Sequence, residues 1–133
     1  MPALTEFTLT LQLRRDEESG TIWTVFRFAT IREFRSFQYE IQLDDRFDAD
    51  ERAFEFRMSG VQAPKNLMPS SGAALRELRY PDLRGEYTVA LAGARQNERF
   101  RFTVTDREIV LGERPEGAAV RVDVEKGIEK MLP

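Results

Sequence analysis

The chain predicts an all-β fold, an antiparallel β-sandwich of about eight strands. Two observations carry that expectation. Apolar and polar residues alternate strictly over several separate runs, the period of a strand with one buried face. Those runs recur at short intervals between clusters of turn formers, with no internal repeat and no low-complexity tract. A third observation bounds the chemistry: the 133 residues include no histidine and no cysteine. That removes histidine acid–base catalysis, cysteine nucleophiles and the His/Cys ligand sets of most zinc, copper, haem and iron–sulfur sites.

The elements follow in order. Phe7, Leu9, Leu11 and Leu13 alternate with Glu6, Thr8, Thr10 and Gln12, the pattern of a half-buried strand. Asp16-Glu17-Glu18-Ser19-Gly20 reads as a hairpin loop into a second strand over 21–30. That strand is apolar on both sides, with Ile22, Phe26 and Phe28 on one and Trp23, Val25 and Ala29 on the other; such a strand belongs in the middle of a sheet. Phe37, Tyr39, Ile41 and Leu43 form the next run, followed by the acidic turn 44–51 and by Phe54, Phe56 and Met58. Tyr87, Val89 and Leu91 precede Phe100, Phe102 and Val104, with a loop over 93–97 between them. Shorter strands fall at 108–111 and 118–124. Between the fifth and fourth of these, Ser71 caps a short helix near 72–79, whose Ala74, Leu75 and Leu78 share a face before Pro81 stops it. The spacing of Val124, Ile128 and Leu132 makes a short C-terminal helix a candidate, although Gly127 inside it costs about 1 kcal/mol against alanine.

Asp82-Leu83-Arg84-Gly85-Glu86-Tyr87-Thr88-Val89 resembles the tyrosine corner of immunoglobulin-like sandwiches. The resemblance implies that the Tyr87 hydroxyl bonds back to the backbone and that Val89 points into the core. It further implies that 98–105 is strand G, the first hairpin strands A and B, 37–43 strand C and 54–58 strand E. Trp23 then falls on B instead of C, and residues 106–133 run past the last strand such a domain needs. A closed β-barrel, as in lipocalin-like or pleckstrin-homology-like folds, is the alternative architecture. Residues 1–133 are read as one domain.

Net charge is −3, from 20 basic and 23 acidic residues, which gives no global attraction to nucleic acid or anionic lipid. No run approaches the roughly 20 apolar residues of a membrane-spanning helix. The first residues show neither a basic nor an apolar signal region, so a cytoplasmic location is the default expectation.

Each candidate site has a plainer reading beside it. Asp44, Asp45, Asp48, Asp50 and Glu51 place five carboxylates within eight residues, hard oxygen ligands of the kind calcium takes. The EF-hand spacing is missing and no glycine supplies its sharp turn, so a solvated turn is the favoured reading. Arg57, Arg99 and Arg101, with Arg27, are the partner-binding candidates, because guanidinium pairs bidentately with carboxylate and phosphate. Cross-strand pairing with Glu55 and Glu86 is the competing account. Arg32, Phe34, Arg35 and Phe37 interleave basic and aromatic residues as single-strand nucleic-acid platforms do, but Glu33 and Glu40 sit among them. Lys65, Asn66, Ser70 and Ser71 lie in the longest irregular stretch, without a Ser-x-x-Lys or Gly-x-Ser-x-Gly pattern. Trp23, Tyr39 and Tyr80 are a candidate sugar-stacking set or simply core.

No cofactor is implied. The resulting expectation is a non-catalytic interaction or accessory module whose partner is another protein, not nucleic acid or membrane. Strand addition at an edge, either the strand of Arg57 or the N-terminal strand, is one way to bind it. The alternative is a lipid or sugar binder with a cavity lined by Phe26, Phe28, Phe100 and Phe102.

Overall fold

The fold is given by a computed structural model, which describes residues 7–34, 40–62, 72–92, 97–112 and 120–130. These residues form nine strands and no helix: β1 (Phe7–Arg15), β2 (Ile22–Phe34), β3 (Glu40–Asp48), β4 (Ala53–Gln62), β5 (Gly72–Pro81), β6 (Gly85–Ala92), β7 (Asn97–Val104), β8 (Ile109–Leu111) and β9 (Val120–Lys130). Their order is β8-β7-β6-β4-β3-β5-β2-β1-β9. A single bridge, Glu40 to Leu75, joins β3 to β5. It separates a layer β8-β7-β6-β4-β3 from a layer β5-β2-β1-β9.

The alternating residues meet between these layers. Phe7, Leu9, Leu11 and Leu13 from β1 are buried with Phe26 and Phe28 of β2, Phe54 and Phe56 of β4, and Val89, Leu91, Phe100 and Phe102 of the β6–β7 hairpin. The Phe26 ring stands 5.1 Å from those of Phe54 and Phe56 and 5.7 Å from that of Phe102, distances typical of attractive aromatic pairs. β2 is central, as its two apolar sides require: β1 pairs along one edge and β5 along the other, and Val25 on its second face is also buried. The first hairpin turns where expected. Asp16 accepts the Gly20 N–H at 2.8 Å on its carbonyl and the Glu18 N–H at 3.0 Å on its carboxylate, and Gly20 takes a φ of +73° that suits glycine.

Several expectations are corrected. The eight-stranded, immunoglobulin-like antiparallel sandwich with one or two helices is not what forms. β1/β9, β4/β6 and the β3/β5 bridge are parallel. The segment near 72–79 is strand β5, paired with β2 from Trp23–Pro81 to Phe34–Gly72. The long apolar edge of β2 needs a partner, and that pairing overrides a helical spacing only three residues deep. Arg76, Leu78 and Tyr80 then face inward with Phe28, Phe26 and Thr24, while Glu77 and Arg79 are exposed.

The C-terminal helix is likewise a strand. Leu11 lies opposite Val124 and Leu13 opposite Ile128, so β9 spends four residues where β1 spends two. A bulge at Gly127, with φ +80°, absorbs the excess and keeps both apolar residues on one face. The i, i+4 spacing was the signature of that bulge. The closed barrel is overturned too, because the end strands β8 and β9 are not bonded to each other. Nor are the two strands expected to offer an edge available: β4 lies between β3 and β6, and β1 between β2 and β9. Among the described residues no helix is long and apolar enough to cross a membrane.

Candidate functional site

A concave face arises from what β6 lacks. Tyr87, Val89 and Leu91 turn inward, which leaves Glu86, Thr88, Ala90 and Ala92 on its outer side. Antiparallel β7 sets Thr103 opposite Glu86, Arg101 opposite Thr88 and Arg99 opposite Ala90. Parallel β4 sets Ala53 opposite Thr88, Glu55 opposite Ala90 and Arg57 opposite Ala92. Residues paired in this way share a face of the sheet. A strip of short side chains therefore runs between two rows of long ones. The outcome is an open trough of about 780 Å³, with Arg99 and Arg101 on the β7 side and Arg46, Glu51 and Glu55 on the β3–β4 side.

The parallel β4/β6 register that builds this trough is held at one corner. Asp48 closes the turn after β3 by accepting the N–H groups of Asp50 at 3.0 Å and Glu51 at 3.1 Å. Arg52 then enters the left-handed region with φ +52°. Its carbonyl accepts the Thr88 N–H at 3.0 Å, and its guanidinium donates to the carbonyls of Glu86, at 2.9 Å, and Arg84 while lying 4.3 Å from the centre of the Tyr87 ring. The Tyr87 hydroxyl in turn accepts the Arg84 N–H at 3.0 Å, the backward bond expected of that segment. Gly85, at φ +89°, leaves room for the guanidinium: a Cβ there would sit 2.7 Å from Arg52 Nη2.

Of the partner-binding candidates, Arg57, Arg99 and Arg101 share this outer face, whereas Arg27 belongs to the other layer and pairs with Glu77 at 3.4 Å. The competing account, in which Glu55 and Glu86 neutralise them, is realised only for Arg57, 4.0 Å from Glu55 on its own strand, with both side chains well exposed; such a pair is worth little. The side chains of Arg99, Arg101 and Arg46 make no hydrogen bond or ion pair with another described residue, although the Arg101 carbonyl accepts the Gly112 N–H at 2.8 Å.

The acidic run does not converge. Asp44 and Asp45 are strand residues of β3, Asp48 is occupied by its turn, and the Asp45 carboxylate accepts the Tyr80 hydroxyl. Among the described residues no three acidic, histidine or cysteine side chains are grouped to hold a metal ion. Trp23 and Tyr80 lie on opposite faces, since Tyr80 pairs with Thr24 and packs its ring 5.8 Å from that of Phe26. Tyr39, Arg35, Phe37, Lys65, Asn66, Ser70 and Ser71 lie outside the described residues, as do the side chains of Arg32 and Phe34. Phe26, Phe28, Phe100 and Phe102 pack against other rings, with Phe28 and Phe56 5.3 Å apart and Phe100 and Phe102 6.5 Å apart.

Arg46, Arg52 and the small residues of β6 were not singled out from sequence, and Glu55 entered only as a cross-strand partner for the arginines. Part of the signal was legible: Thr88, Ala90 and Ala92 face Arg101, Arg99 and Asn97 across one hairpin. The other wall required the non-local β4/β6 pairing. Comparison with protein-family models, curated protein sequences and solved structures finds no match. The trough offers guanidinium, carboxylate and hydroxyl groups on one open surface.

Proposed function

We propose that the protein is a non-catalytic interaction module that holds a partner protein in the trough over β6. The observation that carries this reading is the pair Arg99 and Arg101, exposed on the wall of a concave surface with no side-chain partner among the described residues. Guanidinium groups so placed are ready for carboxylates supplied from outside. Aromatic packing of Phe26 and Phe28 against Phe54, Phe56 and Phe102 supports a module whose interior is structural.

Binding on the face, and not by strand addition, is favoured by how the free edges are defended. β8 has three residues; β9 carries the Gly127 bulge with Arg121 and Glu125 exposed; β5 ends in Pro81. Short length, bulges, charges and proline are the devices that discourage pairing with another chain.

A photo-crosslinking residue at Thr103, on the rim of the trough, tests the proposal in the host cell against the same residue at Thr10 on the opposite layer. A protein adduct from Thr103 that disappears on Arg99→Glu/Arg101→Glu is the expected result. Adducts from Thr10 alone, or adducts from Thr103 indifferent to the double reversal, would overturn it.

A further inference from the structure

The two walls of the trough differ in sign. On the β7 side stand Arg99 and Arg101. On the far side the lining holds Glu51 and Glu55, with Asp48 engaged in its turn and Arg46 the one cation among them, while Arg57 stands beyond the lining 4.0 Å from Glu55. The walls flank one intervening strand, so their backbones are about 10 Å apart. Along β6 the lining runs from Glu86 to Ala90, about 13 Å. A surface of those proportions is the size of a short extended chain and longer than a single residue. Arg99 and Arg101 are also two residues apart on one strand, about 7 Å, which is the repeat of side chains on one side of any extended peptide.

We infer that the occupant is an extended segment of another protein in which acidic and basic residues alternate. Resting on the proposal that the trough binds a partner, this names the partner's chemistry. An extended chain lying along the trough, with its pleat parallel to the floor, sends successive side chains to opposite walls. Its carboxylates at alternate positions meet Arg99 and Arg101, and the intervening lysine or arginine meets Glu55 and Glu51. Ala53, Thr88 and Ala90 are short enough for its backbone to lie over β6. A segment of one charge, or one with its charges in blocks, satisfies one wall and sets like charges against the other.

The probe is an acetylated, amidated octapeptide of alternating glutamate and lysine, labelled for fluorescence anisotropy, beside its isomer with four glutamates followed by four lysines. The expected result is that the alternating peptide binds about tenfold tighter or better than the block isomer and that Arg99→Glu/Arg101→Glu abolishes the preference. Exchange of the walls, Glu55→Arg with Arg99→Glu and Arg101→Glu, restores it, because alternation is symmetric to such an exchange; melting curves of each variant confirm folding. Equal binding of the two isomers, or a wall exchange that restores nothing in a folded variant, overturns the inference. If neither peptide binds while the Arg99- and Arg101-dependent adduct at Thr103 persists, the alternating segment is wrong and the interaction face stands. If that adduct is also missing, both fail.

Discussion

On the outer face of the β5-β2-β1-β9 layer a run of polar side chains is bonded from strand to strand. Glu125, on the bulge of β9, accepts from Gln12 Nε2; Gln12 Oε1 accepts from Arg14 Nε at 2.8 Å; Arg14 reaches Glu77 at 3.0 Å; and Glu77 also takes Arg27 at 3.4 Å. The chain of contacts crosses four strands and includes Gln12, which is only 3% exposed. On the outer face of the other layer, Arg99 and Arg101 flank a trough, and their side chains bond to no other described residue. The same residue type thus serves two ends. Where arginines are matched within the chain they tie strands together; where they are left over on a concave surface they are available to a partner.

That contrast is open to direct attack, starting from the core beneath both faces. Phe26→Ala should lower the stability by about 3–5 kcal/mol, read from denaturant unfolding, because Phe26 is fully buried among Phe54, Phe56, Phe102 and Tyr80. A small loss would mean that the layers do not lean on this ring. Gln12→Ala should cost about 1–3 kcal/mol, since it removes the link between Arg14 and Glu125 at a buried position. Unchanged unfolding would show that the laced face contributes no more than the open one. Gly85→Ala should cost about 1–2 kcal/mol, because its φ of +89° is strained for any side chain and the new methyl displaces Arg52 from Tyr87. A second consequence distinguishes it from a core defect: adduct formation at Thr103 should weaken, as the β4/β6 register loses its latch.

The seam between the layers supplies a subtler test. Tyr80 on β5 donates its hydroxyl to Asp45 on β3, across the strands that share only one bridge. Partial burial first, and then the bond to and charge of Asp45, hold the phenol well above its ordinary range near 10. The unfolded chain therefore loses this proton before the folded one does, so stability is intact below about pH 10 and declines as pH rises beyond it. Tyr80→Phe should flatten that alkaline decline in urea titrations; an identical slope would detach it from this residue. The smallest effect is expected at the trough itself, where Arg99→Ala/Arg101→Ala should leave stability within about 0.5 kcal/mol of the parent.

The alternating runs made the strands β1, β6 and β7 legible from sequence, because a period of two survives wherever one face is buried and the pairing is local. β5 was hidden by Ala74, Leu75 and Leu78, whose spacing suits a helix until the bare edge of β2 is known to need a partner. β9 was hidden by its bulge, which converts a strand's spacing between Val124 and Ile128 into a helix's. The cationic wall was visible in Arg99 and Arg101. The trough was not, since it exists only when β4 pairs in parallel with β6 and places Glu55 across one short side chain, Ala90, from Arg99. Non-local parallel pairing leaves no periodic mark in either strand.

The most direct measurement pairs melting curves with Thr103 crosslinking in two variants, Gln12→Ala and Arg99→Ala/Arg101→Ala. The account predicts a double dissociation, in which the first variant melts earlier yet keeps its adduct at temperatures where it is folded, and the second melts with the parent yet loses its adduct. Loss of crosslinking that follows melting temperature in both variants, or survival of the adduct without Arg99 and Arg101, would contradict it.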